Sequence, residues 1–553
     1  MRKRTVLSLL AVAAGLLASA SCVKVDGSLG KSLLDKSLVY NTYTVEFPLE
    51  EIKMKLSEDL SGYSDAHLTI GAIRDDTFGL TTRSAAFPLV PALDTLDLGI
   101  NPKAVSFDIY FTADSISCSK DSEKGILQNI YAYELLDSLD RGHTIASQDI
   151  PHGTEKITKG TPVYDGTGAL DFNFTTEFAQ KYVDVIRELG PVLKQRTGDK
   201  PKDLYKDYLK KLPGIYIETN LPEENGGRIN MFNFSCLSVS NQRYTRNSNV
   251  ALLKVNSEWN GVRKDSTFMF IPGEPEFSDE VNSLKNNQKF YQYCFNRTTH
   301  DTAETTPTTS IMVEGGTGLK PVISARELQE KTVQAIKDNG GDPEKAIIVK
   351  ASIMLPYEQP EDYMEMKYFP SVLSPTIRTS TKSTDNVETI TFAGLTDASV
   401  STEDQGDIDR SNLMYSPDIT YHLQELLRRK DLDTATNADI WLLTIHTRKE
   451  ADANGSLYDN SYYQNLLYAS YYNSLYGGGY GYGGYGGYGG YGGYGYSNYY
   501  NYMMLAQMMA QSSQQTYTYT QELDKDRYYK AVLNGPSAQR APAFRVTFAF
   551  PGK

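Results

Sequence analysis

Tryptophan occurs only twice in 553 residues, cysteine four times and histidine six times. The six histidines (67, 143, 152, 300, 422 and 446) stand singly, with no H-E-x-x-H and no other pair at metal-ligand spacing, so a zinc site of local origin is not expected. The cysteines form no C-x-x-C. Beyond Cys22 only Cys118, Cys236 and Cys294 remain, too few for a disulfide framework and better read as small buried hydrophobes. No G-x-S-x-G elbow and no Asp-x-Asp-x-Asp calcium loop is present, and acids such as Asp75-Asp76 or Glu361-Asp362 with Glu365 read as solvated turns. Basic clusters are also missing from a chain of formal charge −13, which argues against nucleic acid as a partner. After the first residues, no apolar run reaches the ~18 residues of a spanning helix. Catalytic residues, cofactor and metal are therefore all expected to be none.

What is present begins at the N-terminus. Arg2-Lys3-Arg4, an apolar stretch over residues 6–18 and the small residues 19–21 compose a secretory signal peptide, residues 1–21. Leu16-Leu-Ala-Ser-Ala-Ser-Cys22 resembles a bacterial lipobox, with Ser19 where Leu is usual, and marks Cys22 for lipidation. The alternative is an ordinary signal peptide with Cys22 a bystander. Acyl chains contribute about 0.8 kcal/mol per buried CH2, enough in combination for stable anchoring. Removing the +3 of Arg2, Lys3 and Arg4 takes −13 to −16, so the lipid and not charge attraction holds the chain on a membrane.

Residues 22–37 read as a tether and 38–175 as an N-terminal β-sandwich-like domain. Within it 40–47, 67–70, 105–111 and 130–135 alternate polar and apolar residues between Gly, Pro, Asp and Asn punctuation. Residues 176–212 read as a helical connection: Phe178, Tyr182, Val185, Ile186 and Leu189 repeat at helical spacing before Gly190-Pro191, and a second helix ends at Pro213-Gly214. A second β-rich domain is expected over 213–553, closed by a strand at 544–550. The fold class is thus mainly β: two antiparallel sandwich-like domains with a few connecting helices.

An insert at 451–520 interrupts the second domain. Seventeen of the 40 tyrosines lie between Tyr458 and Tyr502, around a Tyr-Gly-Gly repeat at 476–496. So Gly-rich a segment has few aliphatic groups to offset its backbone entropy, and a disordered loop flanked by a helix-prone stretch at 499–514 is expected. Its tyrosine rings could stack on sugars or on one another, although repeat slippage in an exposed loop accounts for it as well. The repeat generates G-x-G-x-x-G at 481–486 by itself, without the strand and helix a dinucleotide site requires. Gly315-Gly-Thr-Gly-Leu-Lys320 looks faintly like a phosphate loop, but Pro321 replaces the Ser or Thr that would reach magnesium. Asp94-Thr-Leu, Asp114-Ser-Ile, Asp137-Ser-Leu and Asp433-Thr-Ala fit a three-residue O-glycosylation pattern of some Gram-negative envelopes.

The order of several short motifs resembles a family of Gram-negative envelope lipoproteins, domain-of-unknown-function family 4270. It runs from the lipobox through Leu68-Thr-Ile-Gly71-Ala-Ile-Arg-Asp75-Asp-Thr-Phe78-Gly79, a strand at 106–111, and Tyr131-Ala-Tyr-Glu-Leu135. Leu212-Pro-Gly-Ile-Tyr-Ile217, Val313-Glu-Gly-Gly-Thr-Gly318, a helix at 325–338 and Lys345-Ala-Ile-Ile-Val continue it. The resemblance covers most of 22–450 plus the C-terminal strand and leaves out the Tyr/Gly insert. It implies a β-rich cell-envelope lipoprotein and brings no catalytic residues. Gly71 and Gly79 are expected at a close strand approach and a turn, with Asp75-Asp76 in that turn.

The expected function is a non-enzymatic lipoprotein of the outer membrane, an accessory or subunit of a cell-envelope assembly acting through protein contacts. Its partners would be the membrane, through the N-terminal lipid, and an envelope protein. A surface glycan-binding sandwich module is the alternative, and an enzyme with a dispersed site the third reading.

Overall fold

The computed structural model describes residues 40–552 except 93–95, 119–120, 140–144, 191–193, 198–199, 235–248, 276–289, 292, 383–387, 396, 398–405, 431, 433–437 and 452–516. The signal segment, Cys22, the 22–37 tether, Cys236, nearly all of the insert, and the triplets at 94 and 433 lie outside the described residues.

The described chain is mainly β, in antiparallel sheets with few helices. Two sandwich cores account for most of it. In the first, strands His67–Asp75, Gly79–Phe87, Gln128–Leu135, Ile215–Thr219 and Gly226–Asn233 form one sheet. Ile100–Phe111, Val250–Trp259 and Val262–Pro272 belong to the opposing one. Leu68, Ile70, Ala85 and Phe87 meet Phe107, Ile109, Phe111, Leu253 and Phe270 between them. In the second, Tyr40–Pro48, Ala543–Pro551 and Ile347–Pro356 face a sheet containing Ile52–Leu56, Leu319–Ile323, Ile440–Ala451 and Val372–Lys382. Here Phe544, Val546, Phe548 and Ile353 pack with Ile52, Ile323, Leu373, Ile440 and Leu442.

These cores divide the chain differently from the expected 38–175 and 213–553 units. Tyr40–Pro48 pairs along its whole length with Ala543–Pro551, from Tyr40↔Pro551 to Pro48↔Ala543. Ile52–Leu56 pairs with Leu319–Ile323. Residues 40–56 therefore complete the second sandwich, while 215–300 belong to the first, which is inserted between them. Alternating polarity reveals a strand but not its partner, and here the partner lies at the far end of the chain.

The helix Thr176–Leu189 is part of the first core and not a bare connection. Thr175 caps it, its hydroxyl accepting from Phe178 N at 3.2 Å, and Phe178, Tyr182, Val183 and Ile186 are buried. Tyr182 and Phe178 pack on Phe107 of strand Ile100–Phe111. The helix Ala325–Asp338, capped by Ser324 through Glu327 N, serves the second core with Leu328 and Ile336.

The excursion to the insert leaves and rejoins one hairpin. Ala451 stands opposite Tyr517, and the two strands pair down to Ile445↔Leu523. Residues 517–520 are thus strand rather than insert.

Candidate functional site at the junction of the sandwiches

A cluster of buried polar side chains forms where the two sandwiches meet. Strands His67–Asp75, Gly79–Phe87 and Cys294–His300 come from the first sandwich. The turn at 315–318 and the stretch 524–527 come from the second.

Arg83 lies on the 79–87 strand, where its neighbours bury it to 3% exposure. Its Nη1 donates to Thr298 Oγ1 at 2.6 Å and, across the junction, to the Lys525 carbonyl at 2.8 Å. Gly316, at φ +56, lets the turn press on the guanidinium; a Cβ there would overlap it. Burial lowers the Arg83 pKa to about 10, against the opposing pull of Asp526 and Asp524.

Asp526 is the counterpart from the second sandwich. Its carboxylate accepts from Ser64 Oγ and Asn296 Nδ2, each at 3.1 Å, and lies 3.4 Å from His67 Nδ1. Burial alone would raise its pKa, but His67, Lys525 and Arg83 outweigh burial and hold it at about 2. Lys525 Nζ donates to the Tyr63 carbonyl at 2.6 Å, a further tie across the junction.

His300 and Glu314 make a parallel pair. Each side chain is 3% exposed, and His300 Nδ1 lies 3.2 Å from Thr81 Oγ1 and 3.6 Å from Glu314 Oε1. Glu314 Oε2 accepts from Thr302 Oγ1 and Leu319 N at 2.9 and 2.8 Å. Burial pushes the His300 pKa down despite the carboxylate, which keeps the imidazole neutral near pH 7. The Glu314 pKa is also lowered: burial works against ionisation, but His300 and the two donors prevail. A third histidine, His446, sets its Nδ1 3.7 Å from Asp524 Oδ2, and that oxygen accepts from Tyr529 OH at 2.6 Å.

The phosphate-loop look of residues 315–320 resolves into the opposite polarity. Lys320 is fully buried, and its ammonium donates to the carbonyls of Glu314, Gly316 and Gly318 at 2.5, 3.0 and 3.1 Å. Ser57 Oγ donates to the Gly316 and Gly318 carbonyls as well. The turn aims carbonyl oxygens inward at a lysine, an arrangement that holds a cation and repels phosphate. Burial lowers the Lys320 pKa to about 7, with Glu314 opposing the shift.

The remaining candidates from the sequence fall into structural places. Asp75 Oδ1 accepts from Thr77 and Phe78 N and forms the turn to Gly79 at φ +68. Asp75 Oδ2 meets Lys530 of the second sandwich. Gly71, at φ +140, sits where a Cβ would overlap the Arg228 carbonyl of the neighbouring strand. Asp362 caps the turn of 3-10 helix at Tyr363–Tyr368, which fits a solvated cap. Cys118 and Cys294 are buried and free. Ser115 of the triplet at 114 is exposed. Among the described residues no group of three or more His, Cys, Asp or Glu is placed to hold a metal ion.

Sequence reasoning missed the cluster because its partners are remote in the chain. The pairs 67–526, 300–314 and 446–524 share no common spacing, so no local pattern could signal them. Chemically, Arg83, Asp526, Lys525 and the His300–Glu314 pair reach across the junction, whereas Lys320 and Asp524 are held within the second sandwich. A cavity of about 10 Å³ beside Arg83, Asn296, Thr298, Gly316 and Asp526 has room for about one water molecule.

No family model, curated protein or solved structure matches the chain.

Proposed function

We propose that this chain is a lipid-anchored protein of the outer membrane that works without catalysis, as an accessory or subunit of a cell-envelope assembly. The observation that carries this reading is the use of its buried polar chemistry. Arg83, Asp526, Glu314 and Lys530 tie one sandwich to the other and so set a fixed surface for protein contacts. The lipobox-like segment ending in Cys22 and a motif order that resembles domain-of-unknown-function family 4270 support the envelope setting.

Affinity isolation of the full chain from gently solubilised membranes tests this reading. A stoichiometric membrane-protein partner is the expected result. A monomer that is retarded in polysaccharide gels would replace it with the glycan-binding alternative.

A further inference from the structure

The first described strand, Tyr40–Pro48, begins only eighteen residues beyond Cys22, so Tyr40 stands no more than about 65 Å from the lipid at full chain extension. That strand forms the edge of the sheet that continues through Ala543–Pro551 to Ile347–Pro356. Across it the register aligns Thr42, Ala549 and Ile347 in one row and Tyr40 with Pro551 in the next row on the same face. Val349 occupies the register shift between Ile348 and Lys350.

At this corner three apolar side chains stand exposed around Ala549, which is itself buried. Tyr40, Ile347 and Val349 are 48%, 47% and 54% exposed, whereas Ile348 and Phe550, on the other side, are buried. Exposed aliphatic residues clustered on one face mark a contact surface more often than scattered ones do. Within 40–43, 347–350 and 547–551 there is no acidic side chain, and the exposed Asp342 and Glu344 stand just before Ile347. The first acid on the edge strand is Glu46, about 20 Å along it from Tyr40. It is also paired, to Arg545 at 2.8 Å. Tyrosine and β-branched aliphatics suit the headgroup–acyl boundary, where a ring can bury its body and keep its hydroxyl wet.

We propose that the Tyr40–Ile347–Val349 corner is a membrane-contact surface, seated on the bilayer that the Cys22 lipid enters; this rests on the lipid-anchor reading above. The anchor brings the chain to the membrane and the corner orients it. The sandwich junction and the hairpin that carries the insert are left to other contacts.

The test uses the full lipidated chain on vesicles of 7:3 phosphatidylcholine and phosphatidylglycerol with brominated acyl chains. Val349→Trp adds one reporter to the two native tryptophans, and Leu136→Trp, at a site 69% exposed in the first sandwich, serves as control. Unchanged thermal melting establishes that each variant folds. The expected result is quenching of the added Val349→Trp emission at least threefold stronger than that of Leu136→Trp. Equal quenching of the two while the protein floats with vesicles overturns the membrane surface and leaves the anchor standing. Failure of the parent chain to float, matching Cys22→Ser, overturns the anchor and with it this inference. Self-association of the soluble Cys22→Ser chain that Val349→Asp abolishes would assign the corner to a second copy instead.

Discussion

Lys530 Nζ donates to Asp75 Oδ2 at 2.8 Å, with both side chains 11% exposed, and so joins a turn of the first sandwich to a strand of the second. Burial works to raise the Asp75 pKa, but Lys530 and the two backbone donors of the turn prevail and hold it below the usual carboxylate range. Removing one partner of such a pair strands the other charge away from water. Lys530→Met should therefore cost about 3 kcal/mol in urea unfolding. The double replacement Lys530→Met with Asp75→Asn should cost less than the sum of the two singles, because the pair is coupled.

Gly71 tests the packing of the first sandwich. At φ +140 and against the Arg228 carbonyl, it has neither the backbone freedom nor the space for a methyl group. Gly71→Ala should destabilise by about 2 kcal/mol or more. Gly394→Ala, where nothing lies within 4 Å, should change stability by less than about 0.5 kcal/mol in the same chemical-denaturation series.

His422 gives the molecule an acid limb. Burial and nearby Arg429 push its pKa from 6.5 to about 4. Between those values the unfolded chain binds a proton that the folded chain refuses, so stability falls as pH drops from 6.5 towards 4. The full loss from this group is about 3 kcal/mol at 1.36 kcal/mol per pKa unit. His422→Phe should flatten that limb in urea midpoints taken from pH 7 to pH 4, while an unchanged limb would assign it to other groups.

The insert should be dispensable for folding. Because Ala451 and Tyr517 face each other, shortening the excursion between them reduces a loop-closure cost without removing a described contact. Deleting 476–496 should leave circular dichroism unchanged and raise stability by no more than about 1 kcal/mol. Loss of the folded state on deletion would contradict this.

Strands and helices were legible because their signals are local. The strands at 40–47, 105–111 and 544–550, the helix ending before Gly190-Pro191 and the Asp75–Gly79 turn all follow from periodicity or turn chemistry, and the structure has them. Assembly was not legible. Nothing within residues 40–48 specifies pairing with 543–551, since alternation sets the buried face and leaves the partner open. Asp75 shows the same limit on the scale of one residue. Its turn is written in the next four residues, but its bond to Lys530 comes from the docking of the sandwiches. Lys320 lay in a motif that looked phosphate-like, and only the carbonyls folded around it show that the turn holds its own lysine.

Calorimetry of the full chain and of Arg83→Met with Lys530→Met tests most directly whether the buried polar cluster fastens the two sandwiches. The parent should unfold in one transition, because Arg83–Lys525, Asp75–Lys530 and Lys525–Tyr63 couple the cores. The double variant should separate into two transitions, the lower one several degrees below the parent's. Two independent transitions in the parent, or an unchanged single transition in the variant, would contradict the fastening role.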